Sequence, residues 1–255
     1  MTIPTPGRLL LVPNGLDLGT DTEVDLTEVL PQAVLQASAQ IEHWVVENAK
    51  TARAFLKRVD RLVPLTRSLQ SLDIRELPRP RKGAPNAEAP DLAPLLAPAL
   101  AGHDVGLLSE AGLPAVADPG AALVQAAHRL GLTVWPMSGP SSLMLALAGS
   151  GLNGQSFAFV GYLPVEASAR AARVRELEQA SRRMRQTQIA IETPYRNAAL
   201  VAALLEHLAP ATQLCIASGL TLPQGQCRSM PVAQWRAHPP VIGDKLPAVF
   251  LWLAD

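Results

Sequence analysis

Short apolar runs alternate with longer segments of helical periodicity through the first half of the chain. The runs at Arg8–Val12, His43–Glu47 and Val105–Ser109 have the length and the flanking turn residues of buried β-strands. Between them, apolar residues three and four positions apart predict helices over Leu26–Ala39 and Thr51–Val59. This order of strand, helix and strand is typical of a parallel sheet.

The second half of the chain repeats the alternation with a longer and more charged helix. The predicted strands there are Ser156–Gly161, Gln188–Glu192, Gln213–Ala217, Cys227–Met230 and Ala248–Leu253. The predicted helices are Ala167–Arg185, Asn197–Leu208 and Val232–Trp235. The pattern therefore predicts an α/β protein of two α/β domains, an N-terminal one of residues 1–115 and a C-terminal one of residues 116–255.

The stretch from Val105 to Leu152 is predicted to place small-residue loops at the ends of two successive strands. After the first strand, Asp118 has the chemistry of a helix N-cap, and Gly131 suits the position after the helix end. Thr133–Met137 is the next predicted strand, and Ser138-Gly139-Pro140 is predicted to open another helix. Because loops at neighbouring strand ends form the ligand crevice of many α/β proteins, we expect a binding site here.

The segment from Pro78 to Pro98 contains six prolines in 21 residues. This composition predicts a loop that leads into a helix near Asp91. A flap over the binding site and a plain surface connection are both compatible with it.

Composition limits the classes of function. The chain of 255 residues has 48% hydrophobic residues and a formal net charge of zero from 22 basic and 22 acidic residues, which disfavours a protein that coats a polyanion. Cys215 and Cys227 have no metal-ligand spacing, so no metal site is expected. The N-terminus lacks a signal-peptide pattern and no apolar run approaches ~18 residues, so we expect a cytoplasmic protein.

Two polar segments follow predicted strands and carry candidate chemistry. The residues Ser141 and Ser142 stand at a predicted helix start, where backbone N–H groups suit an anionic ligand. Capping of the helix alone is the structural alternative. Glu192-Thr193-Pro194-Tyr195-Arg196 places an acid, a phenol and a guanidinium after a strand, and a buried ion pair would explain Glu192 and Arg196 without any ligand.

The long charged helix is rich in arginine between positions 170 and 185. A solvated charged face is one interpretation, since glutamates partly neutralise the segment, and contact with a polyanion is the other. No aromatic residues alternate with these arginines, so a stacking platform for single-stranded nucleic acid is not indicated.

Five motifs occur in an order that resembles a known family. They are Leu-Leu-Ser-Glu-Ala-Gly-Leu-Pro-Ala-Val-Ala-Asp-Pro-Gly (107–120), Ser-Gly-Pro-Ser-Ser (138–142), Gly-Ser-Gly-Leu (149–152), Phe-Val-Gly-Tyr-Leu-Pro (159–164) and Glu-Thr-Pro-Tyr-Arg (192–196). Together they resemble the tetrapyrrole-methylase superfamily of S-adenosylmethionine-dependent methyltransferases, and within it the branch that methylates ribose 2′-oxygens of small-subunit ribosomal RNA.

The resemblance implies two α/β domains with S-adenosylmethionine in the cleft between them, usually in a homodimer. It implies cofactor contacts from Pro13, Ser109, Glu110, Ala111, Gly112, Pro114, Ser141, Ser142, Glu192, Thr193, Pro194, Ala217, Ser218, Gly219, Pro247 and Ala248. It also implies that Asn48, Lys50, Tyr195 and Arg196 face the methyl acceptor. After Pro13 the chain departs from the family's usual Thr-Pro-Ile-Gly-Asn-Leu and has Asn14-Gly15-Leu16-Asp17-Leu18-Gly19.

Methyl transfer from a sulfonium is an in-line displacement in which alignment and desolvation supply much of the rate. For a hydroxyl acceptor, a carboxylate can assist by removing the proton, and Glu47, Glu110 and Glu192 are the candidates. RNA is the leading acceptor by resemblance. A small molecule such as a tetrapyrrole, or a catalytically silent protein that only binds S-adenosylmethionine, are the alternatives.

Overall fold

The computed structural model describes residues 5–17, 19–78, 90–243 and 245–255. The chain folds into two compact units. Unit 1 comprises Met1–Leu18 and Val24–Pro140, and unit 2 comprises Gly19–Glu23 and Ser141–Asp255. The predicted α/β class is confirmed, because strands and helices alternate in both units.

Unit 1 is built on a parallel sheet. Its strands are β1 (Arg8–Val12), β2 (His43–Val46), β3 (Asp73–Glu76), β4 (Val105–Leu108) and β5 (Thr133–Pro136), in the order β3-β2-β4-β1-β5. All neighbouring pairs run parallel. Its helices are α1 (Leu26–Val29), α2 (Gln32–Gln40), α3 (Ala49–Leu62), α4 (Ala97–Leu100) and α5 (Ala121–Arg129), with 3-10 turns at Leu69–Ser71 and Ala93–Leu96.

Helices cover both faces of the unit 1 sheet, which is why its central strands are almost continuously apolar. One face packs Val12, Trp44 and Leu108 against helices α2 and α3. The other packs Leu9 and Leu107 against α5 and the segment around α4. A Cβ on Gly106 would lie 2.7 Å from two ring carbons of Trp44, so the indole of β2 requires glycine on β4.

Unit 2 contains a mixed sheet. Its strands are β6 (Phe157–Tyr162), β7 (Thr187–Glu192), β8 (Gln213–Ser218), β9 (Gln226–Pro231) and β10 (Ala248–Leu253), in the order β6-β7-β10-β8-β9. Only the β6–β7 pair is parallel among these. Its helices are α6 (Ser142–Ser150), α7 (Ala167–Met184), α8 (Asn197–His207) and α9 (Val232–Ala237), with a 3-10 turn at Pro194–Arg196.

The two faces of the unit 2 sheet are covered unequally. One face packs Phe250 and Trp252 with residues of α7, α8 and α9. The other packs Val249 and Leu251 against the single short helix α6. Phe157 and Phe159 on the edge strand β6 remain 39% and 38% exposed. Unit 2 therefore presents exposed apolar side chains along this edge strand.

Several boundaries differ from the sequence-based prediction. The long segment of unit 2 begins at Ser141 rather than at 116, because β5 pairs in parallel with β1 and so belongs to the first sheet. The predicted role of Asp118 as a helix N-cap is wrong, since α5 begins after Gly120, whose φ of 127° suits glycine. Of the proline-rich segment, residues 79–89 lie outside the described part, and a 3-10 turn begins at Ala93.

Candidate functional site

The strand ends of unit 1 bring three predicted segments to one edge. Strands β2, β4 and β1 are neighbours and parallel, so the residues that follow them meet beyond their carboxyl ends. These residues are Pro13–Gly15, Glu47–Asn48 and Ser109–Pro114. The parallel strand order therefore brings these loops to one edge of the unit 1 sheet.

Asn14 ties the first of these loops to the third. Its Nδ2 donates to the carbonyl oxygens of Ser109 at 3.3 Å and Glu110 at 3.1 Å, and its Oδ1 accepts from the N–H of Gly15 at 2.8 Å. Its own N–H donates to the carbonyl of Gly112 at 2.9 Å. The position where the chain departs from the family's usual sequence is therefore a buried structural amide that holds the Ser109–Gly112 loop.

Three carboxyl groups gather at this edge. The N–H of Glu110 donates to Oε1 of Glu47 at 3.2 Å, and the hydroxyl of Thr51 donates to Oε1 of Glu110 at 2.9 Å. Burial raises the pKa of Glu47, and the charge of Glu110 adds to that effect. Burial, followed by the charges of Glu47 and Glu110, raises the pKa of Asp118 to about 7. The edge thus holds one carboxyl, that of Asp118, whose pKa lies near neutral pH.

Asp118 is a candidate functional residue that the sequence reasoning missed. An Asp followed by Pro and Gly is a common helix start, so the local pattern favoured a cap. The side chain instead lies half-buried near Glu47 and Glu110, and no hydrogen bond to its carboxyl occurs in the described part of the chain. Only the strand order places residues 47, 110 and 118 together, and that order is not visible in the local sequence.

Pro13, at the end of β1, is fixed by a close approach of the chain. A Cβ on Gly139 would overlap Cβ and Cγ of Pro13, so only glycine fits against this proline ring. The Ser138–Pro140 segment, predicted to open a helix, lies before the helix instead, and α6 begins at Ser142 with Ser141 as its N-cap. The hydroxyl of Ser141 accepts from the N–H of Met144 at 3.5 Å, so both predicted serines lie in the first turn of this helix.

In unit 2, three predicted segments meet at one edge of the sheet. Ala248 of β10 pairs with Glu192 of β7 on one side and with Ser218 of β8 on the other. The N–H of Gly219 donates to the carbonyl of Pro247 at 3.0 Å. Residues 192–194, 217–219 and 247–248 therefore lie along one edge of the unit 2 sheet.

Glu192 at this edge is occupied by structural partners. Its Oε1 accepts from Nε and Nη2 of Arg196 at 2.9 and 2.7 Å and from the N–H of Thr193 at 2.7 Å. The Glu192 side chain is 5% exposed, so the ion pair is shielded from solvent. Tyr195 lies beside Arg196 with its ring 80% exposed. The ion pair between Glu192 and Arg196, one of the two alternatives considered for these residues, is therefore present. Among residues 192–196, only Tyr195 is exposed.

Asn48 and Lys50, predicted to face the acceptor, begin helix α3. Oδ1 of Asn48 accepts from the N–H of Lys50 at 2.9 Å, so Asn48 is the N-cap. Its side chain is half-buried, while Lys50 is exposed. Asn48 therefore has a structural role, and Lys50 presents its ammonium group to solvent at the same edge as Glu47.

The predicted cofactor residues fall into two groups, one at an edge of each unit. The chemistry of both groups fits S-adenosylmethionine. The Glu110–Leu113 backbone is half-exposed apart from Gly112, and in the described structure no hydrogen bond satisfies the N–H of Ala111 or Leu113. Such open backbone groups beside small side chains suit the amino-acid and ribose groups of a nucleoside ligand.

Comparison with known proteins gives the family. The profile of the tetrapyrrole (corrin/porphyrin) methylases matches residues 34–234, which is most of the chain. The chain belongs to this family. The resemblance derived from the five motifs is thereby confirmed.

Curated relatives in this family carry the name ribosomal RNA small subunit methyltransferase I. The Vibrio cholerae protein is 34% identical over 135 residues, which is 53% of this chain and 46% of that protein. The Mesorhizobium japonicum protein is 38% identical over 127 residues, 50% of this chain and 42% of that protein. The chain therefore spans about half the length of the curated relatives that it matches.

A solved structure of a uroporphyrin-III-C-methyltransferase from Thermus thermophilus is also similar. Its sequence is 18% identical to this chain, the match covers 97% of this chain and 94% of that chain, and the TM-score is 0.48.

Within the described ranges, no helix is long and apolar enough to cross a membrane. The same residues contain no group of three or more His, Cys, Asp or Glu side chains placed to hold a metal ion.

Proposed function

We propose that this protein is an S-adenosylmethionine-dependent methyltransferase whose acceptor is RNA, with a ribose 2′-oxygen of small-subunit ribosomal RNA as the leading position. The observation that carries the proposal is family membership over residues 34–234. The names of the curated relatives support RNA as the acceptor. The carboxyl cluster of unit 1 adds the proton acceptor that a hydroxyl substrate needs.

The family resemblance implies cofactor contacts from each unit. The Ser109–Pro114 backbone and Pro13 supply the contacts from unit 1. In unit 2 they come from Ser141 and Ser142 and from the edge formed by residues 192–194, 217–219 and 247–248. When bound, S-adenosylmethionine supplies an electrophilic methyl group on a sulfonium. The protein's part is then to position the acceptor oxygen, exclude water and accept its proton.

Asp118 is the group we propose as general base, supported by Glu47 and Glu110. A base works best when its pKa lies near the operating pH, and the pKa of Asp118 is raised to about 7. Glu110 is held by Thr51, and Glu47 accepts from the Glu110 N–H, so these two carboxylates fix the local charge that keeps Asp118 basic. Glu192 is engaged by Arg196 and is assigned a structural role.

Calorimetric titration of S-adenosylmethionine tests the cofactor assignment. Wild-type protein is expected to bind, and Ser141→Trp is expected to lose most affinity because the indole fills the space beside the first turn of α6. Ser141→Ala is the matched control, since it removes the same cap hydroxyl without adding bulk. A folded wild-type protein that does not bind, or a Ser141→Trp variant with unchanged affinity, would contradict this site.

We also propose a homodimer, as the family resemblance implies. The exposed apolar residues of unit 2 support it: Phe157, Phe159 and Tyr162 on β6 and Met144 and Leu145 on α6 are 38–54% exposed. Large exposed apolar surfaces usually mark interfaces. Light scattering in solution distinguishes a dimer from a 27.1 kDa monomer.

A further inference from the structure

Helix α3 carries a row of basic residues on its outer face. Lys50, Arg53 and Lys57 are exposed at positions i, i+3 and i+7, and Arg61 continues the row at i+11. At 100° per residue, these four positions fall within about 80° of the helix circumference. The inner face holds Phe55, Leu56 and Val59, each at most 2% exposed, so the helix and its basic row are fixed to the sheet.

The charges of Lys50, Arg53 and Lys57 are available to a ligand. Within the described part of the chain, no carboxylate pairs with Lys50, Arg53 or Lys57. Two acidic side chains of this region accept from backbone N–H groups: Oδ1 of Asp60 accepts from the N–H of Leu65, and Oε1 of Glu76 accepts from the N–H of Ala49. Lys50 to Lys57 spans about 10 Å of helix, comparable to the Debye length in physiological salt, so the three charges act together.

Helix α7 has more arginines, and three of them have partners in unit 2. Arg173 pairs with Glu176 at 2.7 Å, Arg170 donates to the carbonyl of Val165 at 3.0 Å, and Nε of Arg182 donates to the carbonyl of Asp255 at 2.6 Å. Arg175 and Arg183 are exposed, and in the described part of the chain no carboxylate pairs with them. Exposed positive charge alone therefore does not separate the two helices, and the position of α3 is what favours it for contact with a polyanion.

The position of α3 links the row to the carboxyl edge. Asn48, its N-cap, directly follows Glu47, and Thr51 of its first turn donates to Glu110. The basic row thus starts where the proposed proton acceptors lie and runs away from them. Its outer face carries no large apolar residue between Lys50 and Arg61, which favours a hydrated anionic chain over a lipid surface.

We propose that the outer face of α3, through Lys50, Arg53 and Lys57, binds the phosphodiester backbone of the RNA acceptor and guides one of its nucleotides to the Glu47–Glu110–Asp118 edge. This inference rests on the proposed function, because it assumes that the acceptor is RNA. Contacts of this kind position a nucleic acid without reading its sequence.

The test uses Arg53→Gln/Lys57→Gln and, as the matched control with equal charge change, Arg175→Gln/Arg183→Gln on exposed positions of α7. Affinity for in vitro transcribed small-subunit ribosomal RNA is measured from 50 to 200 mM KCl, with S-adenosylmethionine affinity and melting temperature alongside. The α3 variant is expected to bind RNA roughly tenfold more weakly at 50 mM KCl. Its slope of log affinity against log salt should be smaller by about 1.5. Cofactor affinity should be unchanged, and the control should match the wild type.

The outcomes separate this inference from the proposed function. The role of α3 would be overturned if the two double variants bound RNA with affinities within twofold of each other. In that case, methyl transfer to RNA by the wild type would still support the proposed function. A wild-type protein that binds S-adenosylmethionine but neither binds nor methylates RNA would overturn both. If polyglutamate bound to the row more tightly than RNA and was lost in the α3 variant, the partner would be an acidic protein, and the RNA assignment would be wrong.

Discussion

The two strand-end edges use carboxylates in opposite ways. In unit 1, β2 and β4 are followed by Glu47 and Glu110, and the half-buried Asp118 joins them with no cation paired to any of the three in the described structure. In unit 2, β7 ends at Glu192, which Arg196 neutralises through two hydrogen bonds. The same residue type at a strand end can therefore hold a fold together or remain available for proton transfer, and the presence of a guanidinium decides which.

Within the described residues, the lack of a paired cation at the carboxyl cluster of unit 1 has an energetic cost. Burial of Asp118 disfavours its ionised form, and the charges of Glu47 and Glu110 add to this effect, so the pKa of Asp118 rises. Such destabilising arrangements concentrate at functional sites. In unit 2 the charge of Arg196 offsets that of Glu192. Removing Arg196 would leave the Glu192 carboxylate buried without a partner.

The largest expected effect is on catalysis. Asp118→Asn should lower the rate of methyl transfer by about 100-fold or more, since general bases contribute roughly 10²–10⁴-fold. Affinity for S-adenosylmethionine and the melting temperature should not fall. Single-turnover transfer of a tritiated methyl group measures the rate, with the exposed Glu206→Gln of unit 2 as control. A rate within threefold of the wild type would remove Asp118 from the mechanism.

The second-largest expected effect is a loss of stability when the buried ion pair of unit 2 is broken. Arg196→Ala should lower the free energy of unfolding by about 2–3 kcal/mol, because Glu192 would remain buried without its cation. Arg173→Ala breaks an ion pair with the exposed Glu176 and should cost at most ~0.5 kcal/mol. Urea denaturation compares the two variants. Equal losses would mean that the Glu192 pair is no more than a surface contact.

The smallest effect is the pH dependence of stability in unit 1. The pKa of Asp118 is about 7 in the folded protein and ~3.9 in an unfolded chain, so the folded state holds the proton more tightly. Below pH ~4 both states are protonated and the shift has no effect. As pH rises towards 7, the unfolded state ionises first and the folded state loses relative stability.

Asp118→Asn removes this penalty. The variant should match the wild type at pH 3.5 and exceed it by about 1–2 kcal/mol at pH 8, a value discounted from the full ~4 kcal/mol because the side chain is half-exposed. Chemical denaturation at both pH values measures the difference. A gain at pH 3.5, or none at pH 8, would contradict the raised pKa.

Much of the fold was predictable from local patterns. The buried strand at Arg8–Val12 has the predicted bounds, and the predicted helix over Ala167–Arg185 ends one residue earlier, at Met184. Pro31 interrupts the predicted helix over Leu26–Ala39, and the structure has two helices there. These features depend on residues within a few positions of one another, which a single sequence displays directly.

The rest depends on pairing between distant segments. That β5 joins the first sheet follows from its pairing with β1, some 120 residues earlier in the chain, so the unit boundary lies after Pro140 rather than near 115. The grouping of Asp118 with Glu47 and Glu110 also depends on strand order. Glu192 was predicted as a catalytic candidate and as a possible ion pair, and only the position of Arg196 distinguishes the two.

The most direct test of the central claim is transfer of a tritiated methyl group from S-adenosylmethionine to small ribosomal subunits that lack the endogenous mark. The protein is expected to label the RNA of these subunits, with a rate that rises with pH through about 7 and loses this dependence in Asp118→Asn. Label that appears only in small-molecule extracts, or in neither substrate although the protein binds the cofactor, would contradict the proposal of an RNA methyltransferase.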